Sequence, residues 1–310
     1  MSFDRLISAI IRTQNPTVAG LDPTLSMIPS FITEPLLAKF EDPFEAAAEA
    51  ILEFNRGLID ALCDIIPAVK PQAAYYEAFG WQGVRALSET VRYAKEKGLF
   101  VIADGKRNDI GSTMGAYARA YLGETEIGES KREAFGADAL TVNGYLGTDG
   151  IEPLLGLCRE RDKGIFVLVK TSNPSSGELQ DKLCEGQTVY RKMGALCEQW
   201  GADTLGSYGY SAAGAVVGAT YPEELCELRQ ALPHTFFLVP GYGAQGGSAQ
   251  SVAGAFDSRG LGAIVNSSRA ILTAWQKEGC EERDFAGAAR REALRMRDAL
   301  TGAIPAGRLG

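Results

Sequence analysis

Histidine is almost absent from this sequence: His234 is the only one in 310 residues. A Ser-His-Asp relay, a histidine general base or a histidine-ligated metal is therefore poorly supported. Six cysteines (Cys63, Cys158, Cys184, Cys197, Cys226 and Cys280) are scattered without C-x-x-C spacing. No cluster of carboxylates or cysteines has the spacing of metal ligands, so no metal is expected. The thiols are expected to be free and buried, in a reducing cytoplasm. A basic excess is missing too: 31 Lys and Arg stand against 39 Asp and Glu, a formal charge of −8. That balance argues against a nucleic-acid or membrane-surface binder, because no surplus is left to neutralise phosphate backbones. A single local pocket could still take a small phosphate. No apolar run reaches membrane-spanning length, and no basic segment leads into an apolar core at the N-terminus. The expectation is a soluble, cytoplasmic protein. The first strand–helix unit also lacks a G-x-G-x-x-G turn, which removes the best support for a dinucleotide fold.

What is present is an ordinary globular composition, 45% hydrophobic and 23% charged, ample for a large core. Met1 to Ile11 reads as a short amphipathic helix with Phe3, Leu6, Ile7 and Ile10 on one face. Eight short β-rich runs follow: Thr17–Leu21, Ile65–Lys70, Leu99–Ala103, Ala137–Val142, Gly164–Val169, Ala213–Ala219, Phe236–Val239 and Gly262–Val265. Between them lie segments with helical spacing, among them Phe44–Cys63, Gly83–Lys97, Gly115–Ala134, Gly150–Asp162, Val189–Trp200, Pro222–Ala231 and Ser248–Ser258. Strict alternation of strand and helix argues for a parallel sheet with right-handed crossovers. Eight units in a chain of this length predict an α/β fold of the (β/α)8 (TIM) barrel type. No linker divides the chain, so one domain is expected over 1–310, with its barrel core about 16–300. Two connections are long, Pro23–Glu41 and Ser172–Thr188, and loops of that length are commonly functional lids or disordered. The tail Thr301–Gly310 is expected to be loose.

In such a barrel the chemistry sits where strands end. Reading those ends gives a polar ring: Asp22, Lys70, Asp104 with Lys106, Asn143, Thr171 with Ser172, Thr220, Gly241 to Gln245, and Ser267 to Arg269. The most informative segment is Ala103-Asp104-Gly105-Lys106-Arg107-Asn108-Asp109-Ile110, directly after the buried run Leu99–Ile102. If the extended conformation persists, Asp104 and Lys106 point to the same side. A D-x-K triplet by itself is more often a structural ion pair at a strand end. Lys70 ends an apolar strand, where an unpaired ammonium would be costly, and Asp104 on the next strand is its natural partner. Lys170 ends another apolar strand and competes for the same role. Asn143, Thr220 and Ser267 are also plausible as helix caps.

Strand seven leads into Val239-Pro240-Gly241-Tyr242-Gly243-Ala244-Gln245-Gly246-Gly247, where glycines such as Gly243 let backbone amides approach an anion. Strand eight leads into Ser267-Ser268-Arg269 and then a helix. Phosphate sites in barrels often form from these two loops, so Gly243, Ser268 and Arg269 are read as phosphate-binding.

Taken together, Asp104-x-Lys106-x-x-Asp109, Gly20-Leu21-Asp22-Pro23, Val69-Lys70-Pro71, the Pro240–Gly247 segment and Ser267-Ser268-Arg269 resemble orotidine 5′-phosphate decarboxylases. The T-S-N-P-S segment at Thr171–Ser175 and the chain length are similar to the longer bacterial branch of that family. The resemblance spans strand one to strand eight. It implies a TIM barrel that turns orotidine 5′-phosphate into UMP without a cofactor, as a homodimer with shared active sites. Lys106 would donate a proton to C6 and Asp104 would face the substrate carboxylate. Lys70 would hold Asp104 and reach the ribose, and Asp22 would bind a ribose hydroxyl. Ser172 would hydrogen-bond the pyrimidine, and Gln245 and Arg269 would grip the phosphate. Asp109 and Thr113 would enter the partner subunit's site.

The physical chemistry is consistent with this. Losing CO2 from C6 leaves a carbanion in the ring plane, which a held ammonium can stabilise and then protonate. Aspartates alternating with lysines favour the ammonium form; at an effective dielectric near 20 each neighbour contributes roughly 4 kcal/mol before desolvation. Two alternatives stay open at this level. One is an aldolase-like enzyme forming a Schiff base with a sugar phosphate, which needs a neutral lysine. The other is a catalytically silent barrel that binds nucleotides.

Overall fold

The computed structural model describes residues 2–243, 247–304 and 309–310. Each of the eight β-rich runs forms a strand: β1 Thr17–Leu21, β2 Ala68–Pro71, β3 Phe100–Arg107, β4 Ala139–Val142, β5 Gly164–Lys170, β6 Ala213–Val217, β7 Phe237–Val239 and β8 Ala263–Ser267. Each pairs in parallel with the next, and β8 returns to β1 to close the barrel, Thr17 standing opposite Val265. Strands covered on both faces must be apolar throughout, and β1, β2, β4, β6, β7 and β8 are buried along their whole length. In β3 burial ends at Asp104, where the charged segment begins.

The helices lie outside the strands. Pro43–Leu62 starts where Asp42 accepts the Phe44 N–H at 2.9 Å and Pro43 occupies the first turn, two standard helix-start devices. β2 begins later than the apolar run Ile65–Lys70 predicts: the Ile65 and Ile66 amides still bond to Leu62 O, and Pro67 separates that turn from the strand.

The helix read as Gly115–Ala134 is the largest miss. It runs only Gly111–Leu122 and is followed by an exposed hairpin, Thr125–Ile127 with Ser130–Arg132. Gly123 ends it by donating to the Ala118 and Arg119 carbonyls, and Gly128, at φ +59°, makes the turn. The helix read as Ser248–Ser258 is likewise short, Ala249–Val252 and then a single 3-10 turn, Ala253–Ala255.

Both long connections are structured. The first carries helix Ser30–Lys39, and the second a 3-10 turn, Pro174–Glu178, and a small hairpin, Leu183–Cys184 with Gln187–Thr188. The tail is not loose in its described part. Ile304 and Leu309 are buried, and Gln14 bonds to the carbonyl and amide of Leu309 at 3.0 and 3.2 Å. Nor are all the thiols buried: Cys158 and Cys197 are, while Cys184 and Cys226 are exposed.

The N-terminal helix, Ser2–Thr13, closes the end of the barrel where the strands begin. Phe3 packs on Phe100, Phe166 and Phe236 with ring centroids 6.4, 4.8 and 5.5 Å away. Gly164 makes room for it, since a Cβ there would lie 2.8 Å from the Phe3 ring. That leaves the opposite rim, where the strands end, as the open one.

Candidate active site

At the open rim the β3–β4 ladder goes out of step. Ala103 pairs with Leu140 and the next pairing is Arg107 with Val142, so Asp104, Gly105 and Lys106 stand against Thr141 alone. Lys106 absorbs the bulge with φ +48°, a left-handed conformation uncommon for a long side chain and costing roughly 1–2 kcal/mol. The expected strand alternation therefore does not persist. Asp104 and Lys106 still meet, but through the bulge.

Asp104 is the hub. Its Oδ2 accepts from Lys70 Nζ at 2.5 Å, and its Oδ1 accepts from Lys106 Nζ at 2.7 Å and from Thr141 Oγ1 at 2.7 Å. Thr141 Oγ1 in turn accepts the Lys106 backbone N–H at 3.0 Å. The Lys70 and Asp104 side chains are 5% and 7% exposed, whereas Lys106 is 45% exposed. An incoming molecule thus meets Lys106 first, backed by a largely buried ion pair. Burial by itself would raise the Asp104 pKa, but Lys70 and Lys106 outweigh it and hold the carboxyl well below its ordinary value. Burial would lower that of Lys70, but Asp104 and then Asp22 hold its ammonium above the usual lysine value. A charged Lys70 is a poor Schiff-base nucleophile.

Two adjoining cavities, of about 350 and 390 Å³, meet across Lys70, Asp104 and Pro240. Each is of small-molecule size. The first is walled by Asp22, Tyr242, Ser268 and Arg269, with Met27 from the first long connection. The Oδ1 of Asp22 is buried there without a hydrogen-bond partner. Gly20 leaves space for Ser268, since a Cβ at that position would lie 1.9 Å from Ser268 Oγ. The second cavity holds Lys106, Thr141, Ser172 and Asn173 against Leu168 and Val216. One half is thus polar with an exposed arginine, and the other is a mainly apolar slot that also holds the Thr141 and Ser172 hydroxyls and the Lys106 ammonium.

The structure therefore brings Asp22, Lys70, Asp104, Lys106, Ser172, Ser268 and Arg269 together. Asp109 and Thr113 line neither cavity. Asp109 accepts the Ile110 N–H at 2.8 Å, and Thr113 is exposed on helix Gly111–Leu122. The Gly243 amide is committed to Gly247 O at 2.8 Å, so it is not the free donor the sequence reading expected. Gln245 lies outside the described residues. Lys170 loses its claim: it is fully buried away from both cavities, paired with Asp181 and lying over the Tyr190 and Tyr221 rings at 5.3 and 4.5 Å. His234 caps the far rim through Gly209 O. Thr141 was missed, although a hydroxyl in the middle of Ala139-Leu140-Thr141-Val142 is the kind of signal that marks a polar task inside a core. Among the described residues no three His, Cys, Asp or Glu side chains are grouped as metal ligands would be.

Comparison with known proteins finds close relatives. A sequence profile of the Orotidine 5′-phosphate decarboxylase / HUMPS family matches residues 45–279. An orotidine 5′-phosphate decarboxylase of Rhodopirellula baltica is 46% identical over 302 residues, covering 96% of this chain and 98% of its own. Another, from Caldicellulosiruptor bescii, is 42% identical over 273 residues, covering 88% and 90%. Among solved structures, the OMP decarboxylase of Leishmania donovani matches with a TM-score of 0.70 at 30% identity, covering 96% of this chain and 99% of that one.

Proposed function

This chain belongs to the Orotidine 5′-phosphate decarboxylase / HUMPS family, and from that premise we propose that it converts orotidine 5′-phosphate to UMP and CO2 without a cofactor, in de novo pyrimidine biosynthesis. The observation that carries this reading is the Lys70–Asp104–Lys106 chain set between two cavities, one of them holding Arg269.

The pyrimidine enters the apolar slot beside Ser172, and the phosphate lies toward Arg269; Gln245 is assigned to the phosphate by the family resemblance alone. Asp22 and Lys70 take the ribose hydroxyls. Asp104 then faces the substrate carboxylate, and the charge repulsion is relieved as CO2 departs neutral. The C6–carboxylate bond breaks and its electron pair stays on C6, in the ring plane. Lys106 offsets that charge and passes an Nζ proton to C6; solvent reprotonates the lysine. Phosphate binding, remote from C6, supplies energy that holds the carboxylate in place.

A homodimer is part of the proposal, with Asp109 and Thr113 reaching the partner's site. Trp81, Ile110, Tyr145 and Leu146 are exposed on the connections after the neighbouring strands β2, β3 and β4, an apolar rim beside Asp109 that a second copy would cover. Cytoplasmic residence is proposed from the six free cysteines; no helix among the described residues is long and apolar enough to cross a membrane.

The test is direct: purified protein, orotidine 5′-phosphate and a chelator, followed by the loss of substrate absorbance and chromatography of UMP. Complete conversion is expected. Intact substrate, or turnover that starts only when one divalent ion is restored, overturns the reading.

A further inference from the structure

We propose that Thr141 is a positioning residue for this chemistry: its hydroxyl locks the β3 bulge and fixes Lys106 relative to Asp104. The inference rests on the decarboxylase reading for its kinetic consequence, though not for its geometry.

The bulge takes Lys106 out of ladder register and leaves it at φ +48°. Such a conformation persists only where its surroundings over-determine it. Here one hydroxyl makes contact at both ends of the bulge. Thr141 Oγ1 accepts the Lys106 N–H at 3.0 Å and donates its own proton to Asp104 Oδ1 at 2.7 Å, the oxygen that also holds Lys106 Nζ at 2.7 Å. The circuit is closed: backbone amide of Lys106, Thr141 hydroxyl, Asp104 carboxylate, ammonium of Lys106. The ammonium is thereby referenced to its own backbone through two side chains that are 1% and 5% exposed as residues. A long, half-exposed lysine otherwise samples many rotamers, and a misplacement of the reacting group by an ångström is expensive. Charge does not select the residue at 141, since Lys70 already pairs with Asp104; a small side chain offering both a donor and an acceptor does.

Threonine-to-valine replacement keeps the shape and deletes the hydroxyl. For Thr141→Val, kcat should fall by on the order of 100-fold while UMP affinity stays at the wild-type value. Thr141→Ser, which restores the hydroxyl, should recover most of kcat. Amide hydrogen exchange at Lys106, read without substrate, should be faster in Thr141→Val and wild-type-like in Thr141→Ser. Wild-type kcat in Thr141→Val overturns the proposal. So does a joint loss of kcat and UMP affinity that serine does not restore, because that pattern is general damage. If Thr141→Val does not fold, Thr141→Ala is measured with the same expectations. If the wild-type protein itself does not decarboxylate the substrate, the functional reading falls instead. The exchange rates then decide the positioning claim alone: equal rates in wild type and Thr141→Val refute it.

Discussion

Lys106 combines a left-handed backbone with an ammonium bonded to a buried carboxylate, so its place is set by Asp104 and Thr141 instead of by its own flexible chain. Lys106→Ala should nearly abolish kcat and leave UMP binding measurable, because the lost interaction belongs mainly to the transition state. Lys106→Arg should not rescue, since a planar fork cannot place one donor at the same point; an unaltered kcat in either variant removes Lys106 from the role of proton donor. The buried pair behind it sets a pH dependence. Asp104 is held below its ordinary 3.8, so its contribution to stability is complete above that value and is lost as pH falls toward the depressed one. Lys70 is held above its ordinary 10.5, so its contribution is complete below that value and is lost as pH rises beyond it. Denaturant unfolding of wild type and Asp104→Asn should therefore show a gap that is constant near neutrality, roughly 3 kcal/mol for breaking a buried pair, and that narrows below pH 3.8. A gap independent of pH would contradict the ionised pair.

Among the elements, the N-terminal helix and the turn after β8 do opposite work at opposite rims. Phe3 plugs the closed end against three aromatic rings. Phe3→Ala should cost about 3–5 kcal/mol of unfolding free energy with little change in kcat at temperatures where the fold persists. A large loss of kcat in a fully folded Phe3→Ala protein would show that the two rims are coupled. Arg269 opens the short helix Arg269–Leu272 and stands exposed on the cavity wall. Arg269→Ala should raise KM steeply and lower kcat less, because arginine–phosphate contacts are charge-assisted and often bidentate. The substrate lacking its phosphate is the diagnostic comparison: if the variant handles that molecule as poorly as the whole one, the arginine is not gripping phosphate.

For the whole molecule the question is where Asp109 acts. It lines neither cavity of its own chain and is followed by the exposed Ile110. Mixing inactive Asp109→Ala with inactive Lys106→Ala tests the shared-site dimer. Random exchange gives about half heterodimers, each with one intact site and one doubly defective one, so activity should return to roughly a quarter of wild type. No recovery, with exchange verified by native mass spectrometry, would place Asp109 in its own subunit's site.

The amino-acid sequence by itself determined the barrel and the rim position of most candidate residues, because both are written locally. Buried parallel strands must be short apolar runs, and a charge at the end of such a run, as at Asp22, Lys70 and Asp104, has only the rim to occupy. Where signals compete, the sequence was ambiguous: Gly115–Ala134 has helical composition, yet Gly123 and Gly128 turn its second half into a hairpin. Lys70 and Lys170 look alike as strand-end lysines, and only packing separated them, one onto Asp104 and the other onto Asp181 between two tyrosines. The contribution of Thr141 was decided entirely by tertiary structure. Its partners are 35 and 37 residues away, and they face it because two neighbouring strands slip out of register, a relation between chain segments that no local pattern records.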